Sequence, residues 1–279
     1  MSLMRIIKTR PLWSYFILTF IISWSGIIAL SFFTGMPAPS KTFESIAPIA
    51  MLPLVIGPTI VGLFLTAIIY GKVGLKNIFS RIIKWRFSIK WYIFTSLTLP
   101  ILASIVLFVL SNYSSDYLPK IITSDTKINL LVTGLLVGVF LTLFEEIGWS
   151  GFAIPELRKR YNLLSSGLLL GFLWGAWHFL PVFYGSGDVE GKFDFLIFYP
   201  GIFFHYAGLI PFRILMTWLY DKTESILLPW IMHATLTSCT FFILNIDKTG
   251  FPLFVYYVAL SIVLWIIVII VFKFHKSRK

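Results

Sequence analysis

The stretch INLLVTGLLVGVFLTLF, residues 128 to 144, decides the fold class of this chain. It carries no charged residue and has nearly the length that a helix needs to cross the hydrocarbon core of a bilayer, roughly 20 residues. Two acids, Glu145 and Glu146, follow directly, and GWSGFAIP, residues 148 to 155, continues the apolar character beyond them. Because a carboxylate inside a membrane helix is costly, it marks a candidate functional site. The stretch therefore predicts a transmembrane helix that carries functional carboxylates.

The composition is that of a membrane protein. Of the 279 residues, 58% are hydrophobic and 13% are charged, whereas about a quarter of the residues of a soluble domain are charged. The net charge of +11 comes from Lys and Arg residues that lie in short segments between apolar runs. That pattern is typical of cytoplasmic loops and not of a nucleic-acid groove, so we expect no nucleic-acid partner.

Hydropathy along the rest of the chain predicts an all-α, polytopic membrane helix bundle with about eight transmembrane helices. We expect residues 1–279 to form a single membrane domain with a catalytic core at about 128–245. The predicted spans cover residues 12–34, 46–70, 91–111, 128–149, 163–184, 195–219, 226–245 and 252–272.

The basic residues predict the orientation of the bundle, because cytoplasmic loops carry an excess of Lys and Arg. One side collects seventeen of them, Arg5, Lys8, Arg10, Lys72, Lys76, Arg81, Lys84, Arg86, Lys90, Arg158, Lys159, Arg160, Lys222, Lys273, Lys276, Arg278 and Lys279. The other side holds five, Lys41, Lys120, Lys127, Lys192 and Lys248. This bias predicts that both termini are cytoplasmic in a multi-pass protein of the plasma (cell) membrane. The mixed basic and apolar segment 71–91 predicts a helix on the inner leaflet.

Six ionisable residues fall within the predicted spans and form a chemically coherent set. They are Glu145, Glu146, His178, His205, Arg213 and His233. Carboxylates and imidazoles together can hold zinc or can activate a water molecule directly. Because consecutive residues are about 100° apart around a helix, the two glutamates cannot both point at one atom. One is expected to face the reacting water or metal, and the other to orient a histidine or polarise the substrate.

Helical spacing brings further side chains to these groups. Trp149 follows the glutamates by three and four residues, Trp174 precedes His178 by four, and Thr237 follows His233 by four. Residues three or four apart share one face of a helix. We therefore expect Trp149, Trp174 and Thr237 to orient the catalytic groups or the substrate.

Three motifs in this order resemble the CPBP family of intramembrane proteases, which takes in CAAX prenyl endopeptidases and bacterial Abi, or bacteriocin self-immunity, proteins. They are EEIGWSGF at 145–152, WGAWHFLP at 174–181 and LPWIMHATLTS at 228–238. The resemblance implies that Glu145, Glu146, His178 and His233 are catalytic. It leaves open a zinc site built from these four residues or a metal-free site. It also implies a membrane-associated peptide or protein substrate, prenylated or unlipidated.

Two positions depart from the family pattern. Ser150 stands where the first motif usually has arginine, and Thr237 stands where the third usually has asparagine or aspartate. Threonine can donate or accept a hydrogen bond, but it cannot do both from separate atoms as asparagine does.

The remaining expectations concern residues outside the three motifs and rival functions. Arg213 is expected to position the substrate, to extend towards the interface, or to pair with Asp221 or Glu224. His205 is expected to have a structural role or to support a neighbouring catalytic residue. The mechanism predicted is peptide hydrolysis in a cavity open to the cytoplasm. The alternatives are a non-catalytic immunity or scaffolding protein, and a transporter that uses the same buried carboxylates.

Overall fold

The computed structural model describes residues 3 to 274 of the chain. Lys276, Arg278 and Lys279, which the orientation prediction counts on the basic side, lie outside the described residues. Within residues 3 to 274 the regular structure is helical, and the only β-type pairings are two isolated bridges. The predicted all-α membrane bundle is confirmed.

The helices are numbered in chain order. They are α1 Leu3–Thr9, α2 Pro11–Thr34, α3 Ser40–Ala50, α4 Leu52–Ile82, α5 Ile89–Ser111, α6 Lys120–Thr123, α7 Lys127–Gly148, α8 Ile154–Arg158, α9 Leu163–Trp177, α10 Phe179–Tyr184, α11 Phe195–Ala207, α12 Leu209–Thr223, α13 Leu227–Ser238 and α14 Phe251–Lys273. Two π-helical turns, Trp149–Ala153 and Cys239–Ile243, extend α7 and α13, and Ser115–Tyr117 is a short 3₁₀ helix.

Seven helical segments within residues 3 to 274 are long and apolar enough to cross a membrane. The shorter apolar helix Leu227–Ile243 corresponds to the remaining predicted span. It begins where the Ile226 amide donates to the Arg81 carbonyl (3.0 Å), and it ends beside Asn245, whose carbonyl accepts from the Lys120 amide (2.7 Å). It therefore also runs from one end of the bundle to the other.

One end of the bundle, here called the basic end, joins segments 81–84, 151–160 and 220–226. Arg158 pairs with Asp221 (2.8 Å), and Lys84 donates to the Thr223 carbonyl (2.7 Å). The predicted loops of the basic side thus lie together at this end. α4 bends at Gly71, whose φ of 63° suits a residue without a Cβ, before the basic stretch that finishes the helix.

The opposite end, here called the far end, joins segments 38–44, 116–123, 184–194 and 245–250. The Ala38 amide donates to the Tyr184 carbonyl (3.0 Å), and the Ser40 amide donates to that of Asp188 (2.9 Å). The Gly250 amide donates to the Leu196 carbonyl (3.1 Å). Lys120, which the sequence assigns to the less basic side, lies here in an ion pair with Asp247 (3.8 Å).

Glycines bring α7 into contact with its neighbours and so fix the position of the glutamates. A Cβ on Gly148 would clash with the Pro58 carbonyl on α4, and a Cβ on Gly138 would clash with Ser238 on α13. Close backbone approach through small residues is a common way for membrane helices to pack. The π-helical turn after Gly148 is buried throughout and carries the chain from the glutamates into α8.

Candidate active site

The two glutamates near the end of α7 are buried in the protein. Glu145 is 7% exposed and Glu146 is 0% exposed. The two carboxylates are therefore not solvated at a helix end. Because a buried carboxylate needs partners, the contacts of each acid indicate what it can do.

Glu146 is held on three sides. Nη1 of Arg213 lies 2.9 Å from Oε1 and 3.1 Å from Oε2, and Nδ1 of His233 lies 2.9 Å from Oε1. The hydroxyl of Ser150, one helical turn later, donates to Oε2. These contacts compensate the charge of Glu146 and fix the ring of His233.

Arg213 on α12 is fully buried, and its partner corrects the sequence prediction. Asp221 pairs with Arg158 and Glu224 with Lys84, so the expected pairing of Arg213 with either acid is wrong. The guanidinium also stacks on the ring of Trp174, 3.8 Å from its centre. Its Nε and Nη2 atoms have no hydrogen-bond partner among the described residues.

Trp174 on α9 contacts Glu145 and two histidines. Its indole N–H lies 3.4 Å from Oε2 of Glu145, a long and therefore weak hydrogen bond. The ring meets His233 edge-on at 4.9 Å and His178 at 5.5 Å between ring centres. Glu145 thus lacks the close ionic partners that hold Glu146.

Two histidines lie side by side close to Trp174. His178 and His205 have ring centres 4.5 Å apart. Nδ1 of His178 lies 2.8 Å from the Trp174 carbonyl, and Nδ1 of His205 lies 2.6 Å from the Gly201 carbonyl. Because a carbonyl only accepts, Nδ1 donates in both rings, which leaves Nε2 of each ring for another contact.

A cavity of about 510 Å³ brings these groups together. Polar members of its lining are Glu145, His178, His205, His233, Thr237 and Thr240. Most of the remaining walls are apolar, with Trp174 and Trp177 beside the histidines. Glu146 and Arg213 lie behind this lining, against Trp174 and His233.

The cavity extends from Glu145 towards the far end of the bundle. Phe43, Pro181 and Phe241 line it there. A cavity open to the cytoplasm and a cytoplasmic basic end were both expected, and both stay predictions. Charge in the loops predicts the orientation of the bundle, but it carries no information on the end at which the helices separate.

Comparison with known proteins supports the family that the three motifs predict. Residues 127–239 match the family described as Type II CAAX prenyl endopeptidase Rce1-like. The protein "CAAX prenyl protease 2" of Methanococcus maripaludis is 28% identical over 237 residues, which are 78% of this chain and 80% of that protein. Both similarities support the CPBP family of CAAX-type proteases. The comparisons support an intramembrane endopeptidase and do not favour the non-catalytic immunity or scaffolding alternative.

The departure from the family pattern at Ser150 has a structural counterpart. The serine hydroxyl and the Arg213 guanidinium both contact Glu146. A cation therefore reaches Glu146 from α12, although position 150 does not supply one. Thr237, the second departure, lines the cavity one turn after His233.

Trp149 lies outside the cavity lining. It packs edge-on against Tyr15 (5.5 Å) and Trp177 (5.7 Å), and Trp177 packs against His178 (4.7 Å). The Trp149 ring thus supports the wall that carries His178, and its backbone N–H donates to the carbonyls of Glu145 and Glu146. Sequence reasoning did not identify Trp177 as part of the site, although it directly precedes His178.

His205 lies in a predicted span but outside the three motifs, so the sequence predicted for it a structural or supporting role. The structure places its ring in the cavity lining. Gly175 allows α9 to approach the His205 backbone, which places the ring on that of His178.

The donor groups do not fit a zinc ion as they are arranged. No three His, Cys, Asp or Glu side chains within residues 3–274 converge as a metal site. The Arg213 guanidinium, which repels a cation, already occupies both oxygens of Glu146. Nδ1 of His233 contacts the same carboxylate, so this ring is also held by Glu146. The side chains can activate water directly, by acid–base chemistry that needs no metal.

Proposed function

We propose that this protein hydrolyses a peptide bond inside the membrane with a water molecule activated by Glu145 and His178. One observation carries the proposal: Glu145, His178 and His233 line the same mostly apolar cavity. A carboxylate with few hydrogen bonds is a stronger base than one that accepts several. Glu145 has that environment, whereas Glu146 is held by Arg213, His233 and Ser150.

Glu145 removes a proton from water as the water oxygen attacks the scissile carbonyl carbon. His178 accepts a hydrogen bond from the same water at Nε2 and orients it. Glu145 then gives the proton to the departing amine nitrogen, so that acid and amine products form with no net change in the enzyme. Acid–base catalysis of this kind contributes about 10²–10⁴ to the rate.

The negative charge that develops on the carbonyl oxygen needs donors within the cavity. Nδ1–H of His233 donates to Glu146, and Nε2–H on the other side of the ring is the donor to that oxygen in this proposal. Thr237 supplies a hydroxyl on the same helix face. Loss of one such donor reduces kcat by about 10²–10³ in proteases.

The substrate proposed is a membrane-associated peptide or protein. The apolar walls suit aliphatic or aromatic side chains next to the scissile bond, and the family makes a prenylated substrate the first to test. We also propose the plasma membrane as the location and residues 128–245 as the catalytic core.

Cleavage of a peptide panel, prenylated and unlipidated, by purified protein in detergent tests this function. Wild type is expected to cleave at least one peptide, and His178→Ala is expected to cleave none while remaining folded. Glu156→Gln is the matched control, because Glu156 is a buried carboxylate that binds Tyr70 and Lys159 away from the cavity. Equal cleavage by wild type and His178→Ala would contradict the proposal.

A further inference from the structure

A second cavity, separate from the catalytic one, lies at the basic end of the bundle. Its volume is about 410 Å³, within the range of roughly 300–1,000 Å³ that is usual for small-molecule sites. Its walls come from α4, from the π-helical turn that follows α7, and from α8 with the residue after it. Among the described residues, none lines both cavities.

The bend of α4 at Gly71 shapes this second cavity. Thr66 and Tyr70 before the bend line it together with Gly74 and Arg81 after the bend. A Cβ on Gly74 would clash with the side chains of Tyr70 and Thr66. The two halves of α4 are therefore in close contact, and the cavity lies between them and the turn that follows α7.

Arg81 brings a positive charge to the cavity and has hydrogen-bonding capacity left. Its guanidinium donates to the Asn77 carbonyl (3.3 Å), to the Gly151 carbonyl (3.2 Å) and to the Tyr220 hydroxyl. These three acceptors are neutral, so they do not compensate the charge. A guanidinium has five N–H groups, so two remain for another acceptor.

Lys159 brings a second positive charge to the same cavity. Its ammonium donates to the Tyr70 hydroxyl (2.7 Å) and to Oε1 of Glu156. Glu156 is buried and also accepts from the Tyr70 hydroxyl (2.6 Å). Because an ammonium has three N–H groups, one remains for another acceptor. Glu156 compensates one of the two cations, and the lining keeps a net positive charge.

The helical segment after the bend adds to this positive potential. Residues 71–91 contain no acid, and their basic residues are Lys72, Lys76, Arg81, Lys84, Arg86 and Lys90. Basic pockets between membrane helices are known to bind anionic lipid headgroups, and basic segments next to a membrane are attracted to anionic lipids. The charge of this region therefore favours an anionic ligand.

The rest of the lining favours a ligand that also has an apolar part. Val73, Phe152 and Pro155 line the cavity, and Val73 is 80% exposed. The membrane-crossing segments Ser40–Ile82 and Lys127–Arg158 both end at this cavity. A free phosphate would leave the apolar walls uncovered, whereas a phospholipid covers them with its glycerol and acyl carbons.

We propose that the second cavity binds the headgroup of an anionic phospholipid. The phosphate accepts hydrogen bonds from Arg81 and Lys159, and the carbons next to it lie against Val73 and Phe152. This site is separate from the groups that carry the proposed hydrolysis. Since Arg81 also holds the Gly151 carbonyl, a bound lipid stabilises the turn that follows the catalytic glutamates.

Titration of the purified protein in detergent with phosphatidylglycerol, followed by native mass spectrometry, tests this site. The measured quantity is the dissociation constant of the first bound lipid. Phosphatidylcholine with the same acyl chains is the comparison, and it is expected to bind more weakly because its choline places a positive charge next to Arg81 and Lys159. Inorganic phosphate is added as a competitor in a separate titration.

Three variants show whether binding occurs in this cavity. Arg81→Gln removes one cation, but it also removes contacts within the protein. Asn77→Asp keeps both cations and the shape of the side chain, and adds one negative charge at an exposed position of the lining. Ser80→Asp is the matched control, because it adds the same charge at an exposed position of α4 that does not line the cavity. Thermal unfolding without lipid shows that each variant is folded.

Arg81→Gln and Asn77→Asp are each expected to weaken phosphatidylglycerol binding about tenfold, the effect of losing one hydrogen bond to a charged group. Ser80→Asp is expected to bind as wild type does. Equal affinity of wild type and Asn77→Asp would overturn the proposal, and so would equal losses in Asn77→Asp and Ser80→Asp. Equal affinity for the two lipids would also overturn it. Displacement of the lipid by an equimolar amount of phosphate would assign the cavity to a free anion and refute a lipid site.

Discussion

Arg213 and Glu146 form a fully buried ion pair at the centre of the bundle, with Nη1 2.9 Å from Oε1. The pair joins α12 to α7 and lies against Trp174 and His233. As a consequence there is a division of roles between the two adjacent acids. Glu146 is engaged in holding the site together, and Glu145 alone is presented to the cavity.

This division predicts different effects for two conservative substitutions. Glu146→Gln leaves the Arg213 charge buried without a counter-charge, and loss of one partner of a buried pair costs about 3–5 kcal/mol of unfolding free energy. Glu145→Gln removes no close ionic partner, so it is expected to abolish cleavage with little change in stability. Thermal unfolding in detergent and peptide cleavage, measured on both variants, check this. Equal destabilisation by the two substitutions would refute the division.

Arg213 is expected to compensate the charge of Glu146, which an arginine at position 150 would otherwise do. Arg213→Met should destabilise the protein and reduce cleavage, because Glu146 then retains only Ser150 and His233. Ser150→Arg alone adds a second guanidinium to a full site and should also be harmful. The double variant Ser150→Arg/Arg213→Met is expected to be more stable and more active than either single variant.

If the double variant Ser150→Arg/Arg213→Met loses as much stability and cleavage as the two single variants together, the arginine at position 150 does not replace Arg213. Ser150→Ala combined with Arg213→Met is the matched control, since it supplies no replacement cation. Thermal unfolding and cleavage rates of all these variants form a double-mutant cycle in which coupling appears as non-additivity.

Trp174 is predicted to act more through its ring than through its N–H group. Trp174→Phe loses the 3.4 Å contact with Glu145, and loss of one hydrogen bond corresponds to about 1 kcal/mol. Trp174→Leu also removes the aromatic face beneath Arg213, which is worth about 2 kcal/mol when buried. We expect cleavage to fall modestly in the first variant and severely in the second. Trp177→Phe is the control, because the Trp177 indole nitrogen has no partner within residues 3–274. A severe loss in Trp174→Phe would show that the N–H group dominates.

His205 is predicted to position His178 by ring contact. His205→Phe keeps an aromatic ring against His178 and should retain most cleavage, whereas His205→Ala should lose it. The kcat of both variants, measured with the same peptide, distinguishes this from proton transfer by His205 itself. Proton transfer requires the imidazole, so loss of activity in both variants would exclude a purely positioning role.

The sequence predicted the bundle because long apolar runs leave few alternatives to membrane helices. It also singled out His178 and His233 with the glutamates, because polar residues are rare in such helices. The partner of Arg213 was missed because Glu146 is distant in the chain. Asp221 is eight residues further along α12, about 12 Å at the helical rise, which is too far for a direct ion pair. The contact of His205 with His178 was missed for a related reason, since contacts between helices leave no local pattern.

The sequence also could not predict towards which end of the bundle the cavity extends. Hydropathy defines where helices cross, and loop charge predicts their orientation. Separation of the helices at one end depends instead on packing, such as the close approach of α7 to α4 at Gly148 and to α13 at Gly138. Those contacts hold the helices together around the glutamates, while the aromatic residues Phe43 and Phe241 line the cavity towards the far end.

Cleavage by purified protein after exhaustive chelation, with metal content measured on the same sample, tests the central claim most directly. Wild type is expected to cleave its best peptide at an unchanged rate with far less than one metal ion per chain, and Glu145→Gln to be inactive under the same conditions. Loss of wild-type cleavage on chelation, restored by adding zinc, would contradict the account, as would cleavage by Glu145→Gln at the wild-type rate.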